Sequence, residues 1–425
     1  MNLTINPVSA IWGRLSVPGD KSISHRALML AAVAEGESRI TGLAAGADVQ
    51  STRQCLRQLG VAIQAEGNNI LVHGKGFLGL RPAPQALDAG NSGTTMRLLS
   101  GIVAGCPFTT MMHGDASLNR RPMQRIIAPL QRMGARLESL PEGTAPLTIH
   151  GGNLKGIRYE MPMASAQVKS CILFAGLQAE GETTVIEPLP TRDHSERMLA
   201  AMGAELRVTA NAVTIRPGRL RPAMITVPGD FSSAAFLIAA AVLLPASDLL
   251  LANVNVNPTR IGLLHVLQEM GAALDLEELP GSGGEPVAHV RARHGTLQAA
   301  NVTPQQIPQL IDEIPILAVL ATQAEGQTII TGAQELRVKE SDRLAALAVN
   351  LRAMGAMVEE LPDGLIITGP VRLRGAVIDS HGDHRIAMAF AIAGLIAASP
   401  VTIRQAECAD ISFPGFFDLL RRHCR

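Results

Sequence analysis

The chain has 425 residues, 47% of them hydrophobic and 3% aromatic, and its 37 basic and 37 acidic residues balance to zero net charge. That length predicts two or three domains with a large buried core, and the neutral balance argues against bulk electrostatic binding to nucleic acid or an anionic membrane. Scarce aromatics argue against a base-stacking platform, and five widely spaced cysteines with no metal-ligand spacing read as free thiols in a reducing cytosol.

In chain order, the first eight residues lack a basic region followed by an apolar core, so no secretory signal is expected. A strand at 14–17 meets a Pro-Gly turn, Asp20 stands at a helix N-cap position, and an apolar helix follows. Lys21, Ser22 and Arg26 therefore crowd the first turns of one helix. Free N–H groups and a partial positive charge already favour anions there, so this is a candidate phosphate or carboxylate site. A second helix start lies at Asn91-Ser92-Gly93-Thr94-Thr95-Met96-Arg97, where Gly93 permits close approach of a ligand to backbone. A plain capped helix with Arg97 in an internal ion pair is the other reading. Arg120 and Arg121 precede Pro122, which keeps the backbone extended; guanidinium groups suit bidentate carboxylate or phosphate contacts, although by themselves they also fit a solvated face.

Ser165, Gln167 and Lys169 open a third helix. Its hydroxyl and amide groups suit a sugar-like ring, with simple capping an equal rival. Asp312 and Glu313 form a carboxylate pair at a helix start, fit either for capping or for general acid–base work. The stretch 337–343 alternates charges, and Lys339, Glu340 and Arg343 run directly into an apolar helix. Finally, His381, Asp383, His384 and Arg385 open the last apolar helix. Two histidines and an aspartate invite a metal reading, but no matching cluster stands elsewhere, so none is expected. The apolar runs 234–246 and 386–398 are too short to span a bilayer and read as buried helices. Only five of the basic residues are lysines, and Lys21, Lys169 and Lys339 all fall inside these motif-like stretches.

A phrase recurs along the chain: a helix ending in Leu-Gly or Met-Gly, then strand, turn and strand, at 56–72, 130–149, 199–215, 267–290 and 351–367. Upstream of each copy stands a strand, a polar cap and an apolar helix. The repeating unit is β-α-β-α-β-β, present six times, the sixth ending early in a C-terminal helix. Six units predict an α/β protein of two domains, each of three units around buried parallel helices. The halves are expected at 1–20 plus 229–425 and at 21–228, the N-terminal strand belonging to the former, with a substrate cleft between them onto which helix N-termini converge.

With these residues assembled, the chain resembles the 5-enolpyruvylshikimate-3-phosphate synthase family of enolpyruvyl transferases, essentially end to end. The resemblance rests on Gly-Asp-Lys-Ser (19–22), Gly-Asn-Ser-Gly-Thr-Thr-Met-Arg (90–97), Arg-Arg-Pro-Met (120–123), Ser-Ala-Gln-Val-Lys (165–169), Arg-Asp-His-Ser-Glu (192–196), Asn-Pro-Thr-Arg (257–260), Arg-Val-Lys-Glu-Ser-Asp-Arg (337–343) and Asp-His-Arg (383–385). Its motifs look like those of the family's second class. It implies two inverse α/β domains that close on substrate. It also implies a transferase that joins the enolpyruvyl group of phosphoenolpyruvate to the 5-hydroxyl of shikimate 3-phosphate, in aromatic amino acid biosynthesis. By similarity, shikimate 3-phosphate would be held by Lys21, Ser22, Arg26, Ser165, Gln167, Arg192, Asp312 and Lys339. Phosphoenolpyruvate would be held by Lys21, Gly93, Arg121, Gln167, Glu340, Arg343 and Arg385. Asp312 is the candidate base for the hydroxyl, and Lys21 and Glu340 are candidates for delivering a proton to C3. A cytoplasmic monomer with no cofactor, no metal, no nucleic acid and no membrane partner is expected. Ile411 stands where some members carry a lysine, so no phosphate contact is counted there. Gly93 leaves room for glyphosate, the family's inhibitor. The related UDP-N-acetylglucosamine enolpyruvyl transferases would need Lys-Asn in place of Lys21-Ser22 and a reactive cysteine just before an Arg-Pro; Cys106 lies too far from Arg121. A non-catalytic phospho-metabolite binder is the remaining alternative.

Overall fold

The computed structural model describes residues 1–425. Its chain divides into two compact units, one of Gly19–Val227 with Gly281–Glu285, the other of Met1–Pro18, Pro228–Pro280 and Pro286–Arg425. Residues 281–285, expected with the latter, turn the hairpin between strands Ala273–Ser282 and Glu285–Arg293 and group instead with Gly19–Val227.

The unit built on Gly19–Val227 has six helices: α1 (Lys21–Val33), α2 (Ala47–Gln58), α3 (Gly93–Val103), α4 (Gln124–Arg132), α5 (Ala166–Gly176) and α6 (His194–Ala201). Helices α1, α3 and α5 are apolar almost all round; α1 is buried continuously from Ile23 to Val33 and α5 from Val168 to Gly176. Only a central position satisfies such a sequence. The others bury one stripe, as α4 does with Ile126, Ile127, Pro129 and Leu130. Three four-stranded sheets cover this core. In each, one parallel pair continues into antiparallel neighbours: Arg158–Glu160 runs parallel to Thr183–Ile186, which pairs antiparallel with Ala212–Ile215, and that with Leu206–Val208. The sheet of the first repeat takes its parallel edge from Met224–Thr226, at the far end of the unit, so the three repeats close on one another.

The other unit repeats the plan with α7 (Phe231–Leu243), α8 (Gly262–Glu269), the single turn α9 (Ile307–Leu310), α10 (Ile314–Ala321), α11 (Arg343–Ala353), α12 (His384–Leu395) and α13 (Phe416–His423). Here α7, α10 and α12 form the buried centre. Strand Trp12–Ser16 lies parallel to Asp248–Asn255, and Asn2–Ile5 lies antiparallel to Val401–Arg404, so the N-terminus completes two of its sheets. The last sheet has three strands, the shortened sixth repeat. Phe416 of α13 packs edge-on against Phe236 of α7, with ring centroids 6.0 Å apart, which seals that end of the core. The Met-Gly-Ala glycines 134, 203, 271 and 355 sit at φ 103°, 89°, 85° and 89°, the left-handed region that ends a helix without steric cost. No helix is long and apolar enough to cross a membrane.

Local chemistry at the helix starts bears directly on the sites. Asp20, Ser92, Ser165, Asp230, Asp342 and Asp383 each accept a hydrogen bond from a backbone N–H of the helix they open. Each such cap is worth about 1 kcal/mol, so the first turns that carry the polar motifs are firmly placed.

Candidate active site

In the unit of Gly19–Val227, Lys21 leaves the first turn of α1 and donates from Nζ to Asp48 Oδ2 at 3.0 Å. One turn on, Arg26 is buried and every guanidinium nitrogen has a partner. Nε donates to Ser195 Oγ at 2.7 Å, Nη1 to Ser22 O at 2.9 Å and Nη2 to Ser170 Oγ at 2.8 Å. Burial brings its pKa down to about 10; Glu196 and Asp20 oppose that and Arg192 adds to it, which places the Arg192 charge within reach of Arg26. A second group forms around the start of α3. Arg97 donates to Gln167 Oε1 and, at 3.2 Å, to Pro122 O, while Gln167 Nε2 donates to Thr94 Oγ1 at 3.0 Å. Arg121 donates to Asn91 Oδ1 at 2.7 Å. Gly93 lies under both arginines: a Cβ there would stand 3.3 Å from Arg97 Nη1 and 3.6 Å from Arg121 Nη1.

In the other unit, Arg343 is 1% exposed at the first position of α11. Its Nε donates to Asp383 Oδ2 at 2.8 Å and its Nη2 to Glu340 Oε2 at 2.6 Å, and Nη1 lies 3.7 Å from Asp312 Oδ1 without a hydrogen bond. Burial alone would lower the Arg343 pKa; Asp383, Glu340 and Asp312 outweigh it and hold the guanidinium above its ordinary value. Asp383 stays below the ordinary carboxyl range despite burial, because of Arg343. On the other side of Asp312, Arg385 places Nη2 3.7 Å from Asp312 Oδ2 and donates from Nη1 to the Asp312 carbonyl at 2.8 Å. One carboxylate thus stands between two guanidinium groups. Glu313 is fully buried; it accepts from Arg260 Nη1 at 2.8 Å and from the Ser232 hydroxyl, and lies 3.6 Å from Arg385 Nη1.

A family model described as EPSP synthase (3-phosphoshikimate 1-carboxyvinyltransferase) matches residues 5–420. The chain belongs to the EPSP synthase family. It is 51% identical to the 3-phosphoshikimate 1-carboxyvinyltransferase of Desulforamulus reducens over 99% of each chain. It is 52% identical to that of Halorhodospira halophila over 99% of this chain and 96% of the relative. An EPSP synthase structure from Acinetobacter baumannii superposes with TM-score 0.89 at 46% identity, covering 100% of this chain and 98% of that one. The enolpyruvyl transferase NikO from Streptomyces tendae, at 18% identity and TM-score 0.81 over 100% and 98% of the two chains, shares the fold. The chain is accordingly a transferase with the α/β architecture of this family.

Set against the EPSP synthase motifs, the expected residues fall into connected groups. Lys21, Ser22 and Arg26 share α1; Gly93, Arg121 and Gln167 meet through Arg97 and Asn91; Asp312, Glu340, Arg343 and Arg385 form the two-guanidinium cluster. Ser165 caps α5, Arg192 stands in the loop before α6, and Lys339 ends the single turn Gln334–Val338 beside Glu340. The charged run 337–343 is therefore no surface helix. It breaks at Lys339, and Arg343 goes into the interior. Of the acid pair, neither residue caps a helix through its side chain: α10 starts without one, and Glu313 is held by Arg260. Nor is Asp383 available as a metal ligand, being committed to Arg343 and to the N–H of Arg385.

Asp48, Ser170, Ser195 and Arg260 were not singled out as site residues. Ser195 and Arg260 sit inside the quoted motifs, where their types gave a signal. Asp48 has none, since nothing local distinguishes it from an ordinary first-turn acid.

Proposed function

We propose that this chain transfers the enolpyruvyl group of phosphoenolpyruvate to the 5-hydroxyl of shikimate 3-phosphate and releases phosphate. Asp312 takes the hydroxyl proton as the oxygen bonds to C2 of phosphoenolpyruvate, and C3 gains a proton from Lys21 or Glu340. Loss of a C3 proton and of phosphate from the resulting tetrahedral adduct then regenerates the enol ether. Shikimate 3-phosphate is held by Lys21, Ser22, Arg26, Ser165, Gln167, Arg192, Asp312 and Lys339, and phosphoenolpyruvate by Lys21, Gly93, Arg121, Gln167, Glu340, Arg343 and Arg385. Fixed guanidinium groups stabilise the adduct without reorganising as it forms. The observation that carries the reading is Asp312 between Arg343 and Arg385. A base there lies beside two anion-binding groups, one with an N–H that no protein acceptor takes. Full-length similarity to named 3-phosphoshikimate 1-carboxyvinyltransferases supports the same substrates. A cytoplasmic setting belongs to the same reading, supported by five free cysteines.

The test is direct: shikimate 3-phosphate and phosphoenolpyruvate are mixed with the protein and phosphate release is followed. Turnover is expected. A folded sample that releases phosphate only with UDP-N-acetylglucosamine as acceptor, or not at all, overturns the assignment.

A further inference from the structure

Lys169 and Glu196 belong to two different motifs that the roles above leave unused, and they meet in the interior. Lys169 stands on α5, two residues beyond Gln167, and is 1% exposed. Its Nζ lies 2.9 Å from Glu187 Oε2 and 2.6 Å from Glu196 Oε1, and donates at 3.4 Å to the Thr191 carbonyl. The Thr191 hydroxyl in turn donates to Glu187. An ammonium this deeply buried is stable only with such partners, and the partners cannot leave without stranding it.

The placement of these groups matters more than their charge. Glu187 follows strand Thr183–Ile186, and Glu196 is in the first turn of α6. Lys169 therefore fixes both ends of the stretch 187–196 to one point on α5. Arg192 lies within that stretch. So does Ser195, whose hydroxyl accepts from Arg26 Nε and meets Ser170 Oγ at 2.7 Å. His194, between them, pairs with Glu285 of the hairpin turn at 2.8 Å, so this stretch is held from a second side as well. Burial pushes the Glu196 carboxyl up, and Lys169, 2.6 Å away, opposes that shift.

We propose that Lys169 is a positioning residue for the phosphate of shikimate 3-phosphate, acting through the buried Glu187–Lys169–Glu196 clamp on Arg192 and on the Arg26–Ser195 contact. The inference rests on the functional reading above, and it separates the phosphate from the ring of the same substrate. A lysine that merely supports the fold would affect both alike.

The experiment measures calorimetric binding of shikimate 3-phosphate and of shikimate to wild type and to Lys169→Met, which keeps an unbranched side chain one atom shorter and loses the charge. Expected is a fall of about tenfold in the affinity ratio of shikimate 3-phosphate to shikimate, with the KM for phosphoenolpyruvate at saturating acceptor changed less than about twofold. Glu187→Gln, which keeps an acceptor for Thr191 and Lys169, should lower the ratio about threefold and decides the matter if Lys169→Met does not fold. An unchanged ratio in a folded variant, including an equal loss of both affinities, overturns the proposal. A wild type that does not prefer the phosphorylated acceptor overturns the functional reading itself, and the inference with it.

Discussion

Acid should destabilise the core beneath Lys21 through one residue, His25. This histidine is fully buried on α1, and its Nδ1 lies 2.7 Å from Thr52 Oγ1. Thr52 Oγ1 lies 2.6 Å from Thr95 Oγ1, which reaches Ser92 Oγ at 2.8 Å, so a polar chain runs from α1 across α2 to the cap of α3. Burial is the main cause that brings the imidazole pKa from 6.5 down to about 3; Asp48 opposes it, and Lys21 and Arg26 push the same way. The sign follows from linkage. Between these two values the unfolded chain binds the proton and the folded chain does not, so stability is complete above pH 6.5 and is lost as pH falls toward 3. At pH 4.5 the unfolded histidine lies two units below its pKa, which at about 1.36 kcal/mol per unit makes the loss about 2.7 kcal/mol relative to pH 7.5. Urea unfolding of wild type and His25→Gln at both pH values measures it. Carboxylates titrate alike in the two proteins and cancel in the difference. The wild type should lose about 2.7 kcal/mol more than the variant. A difference below about 0.5 kcal/mol would refute the claim that a neutral, buried imidazole links these helices.

Asp312→Asn keeps the backbone carbonyl that Arg385 uses and removes the base, so kcat should fall by about 10²- to 10⁴-fold. Steady-state phosphate release measures this, and a loss under about tenfold removes Asp312 as the base. Gly93→Ala puts a methyl group 3.3 Å from Arg97 Nη1, whose guanidinium tip must give by tenths of an ångström, and in ordinary contact, 3.6 Å, with Arg121 Nη1, so it narrows the space beside both groups. The KM for phosphoenolpyruvate should rise about 3- to 10-fold while that for shikimate 3-phosphate holds; an equal rise in both would mean that Gly93 does not serve the donor.

The parts legible in the sequence were those written in neighbouring residues. Asp20 before Lys21 signals a capped helix because the cap and the helix are contiguous, and Met-Gly-Ala marks the repeats because each glycine must adopt a positive φ at a helix end. The sequence did not reveal pairings between distant positions. Glu285 meets His194 across 91 positions, so nothing in the Gly-rich turn at 281–285 announces which unit it joins. Glu313 reads as a helix-starting acid until Arg260, 53 positions away, is seen to hold it. Within a motif the letters also do not separate groups that touch ligand from groups that hold those groups still. In Arg-Asp-His-Ser-Glu (192–196), the last three residues all face inward, toward Glu285, Arg26 and Lys169.

These inward partners also account for how a chain of zero net charge supports a site for anions. Helix ends were the expected source of positive potential, yet α1, α7 and α12 each begin with an aspartate whose carboxylate accepts from a backbone N–H of the first turn. A carboxylate at that end offsets much of the partial charge the helix dipole would offer. What remains is a set of cations, three of them delivered with their own acids: Lys21 with Asp48, Arg343 with Glu340 and Asp383, Arg385 with Asp312 and Glu313, while Arg26 is held by Ser195, Ser170 and the Ser22 carbonyl. Pairing leaves the sum at zero and cancels most of the potential far away, but it fixes the paired guanidinium groups in direction, which is what bidentate contacts to phosphate and carboxylate require. Anion affinity here is therefore a property of orientation, and the acids that appear to cancel the charge are the groups that provide it.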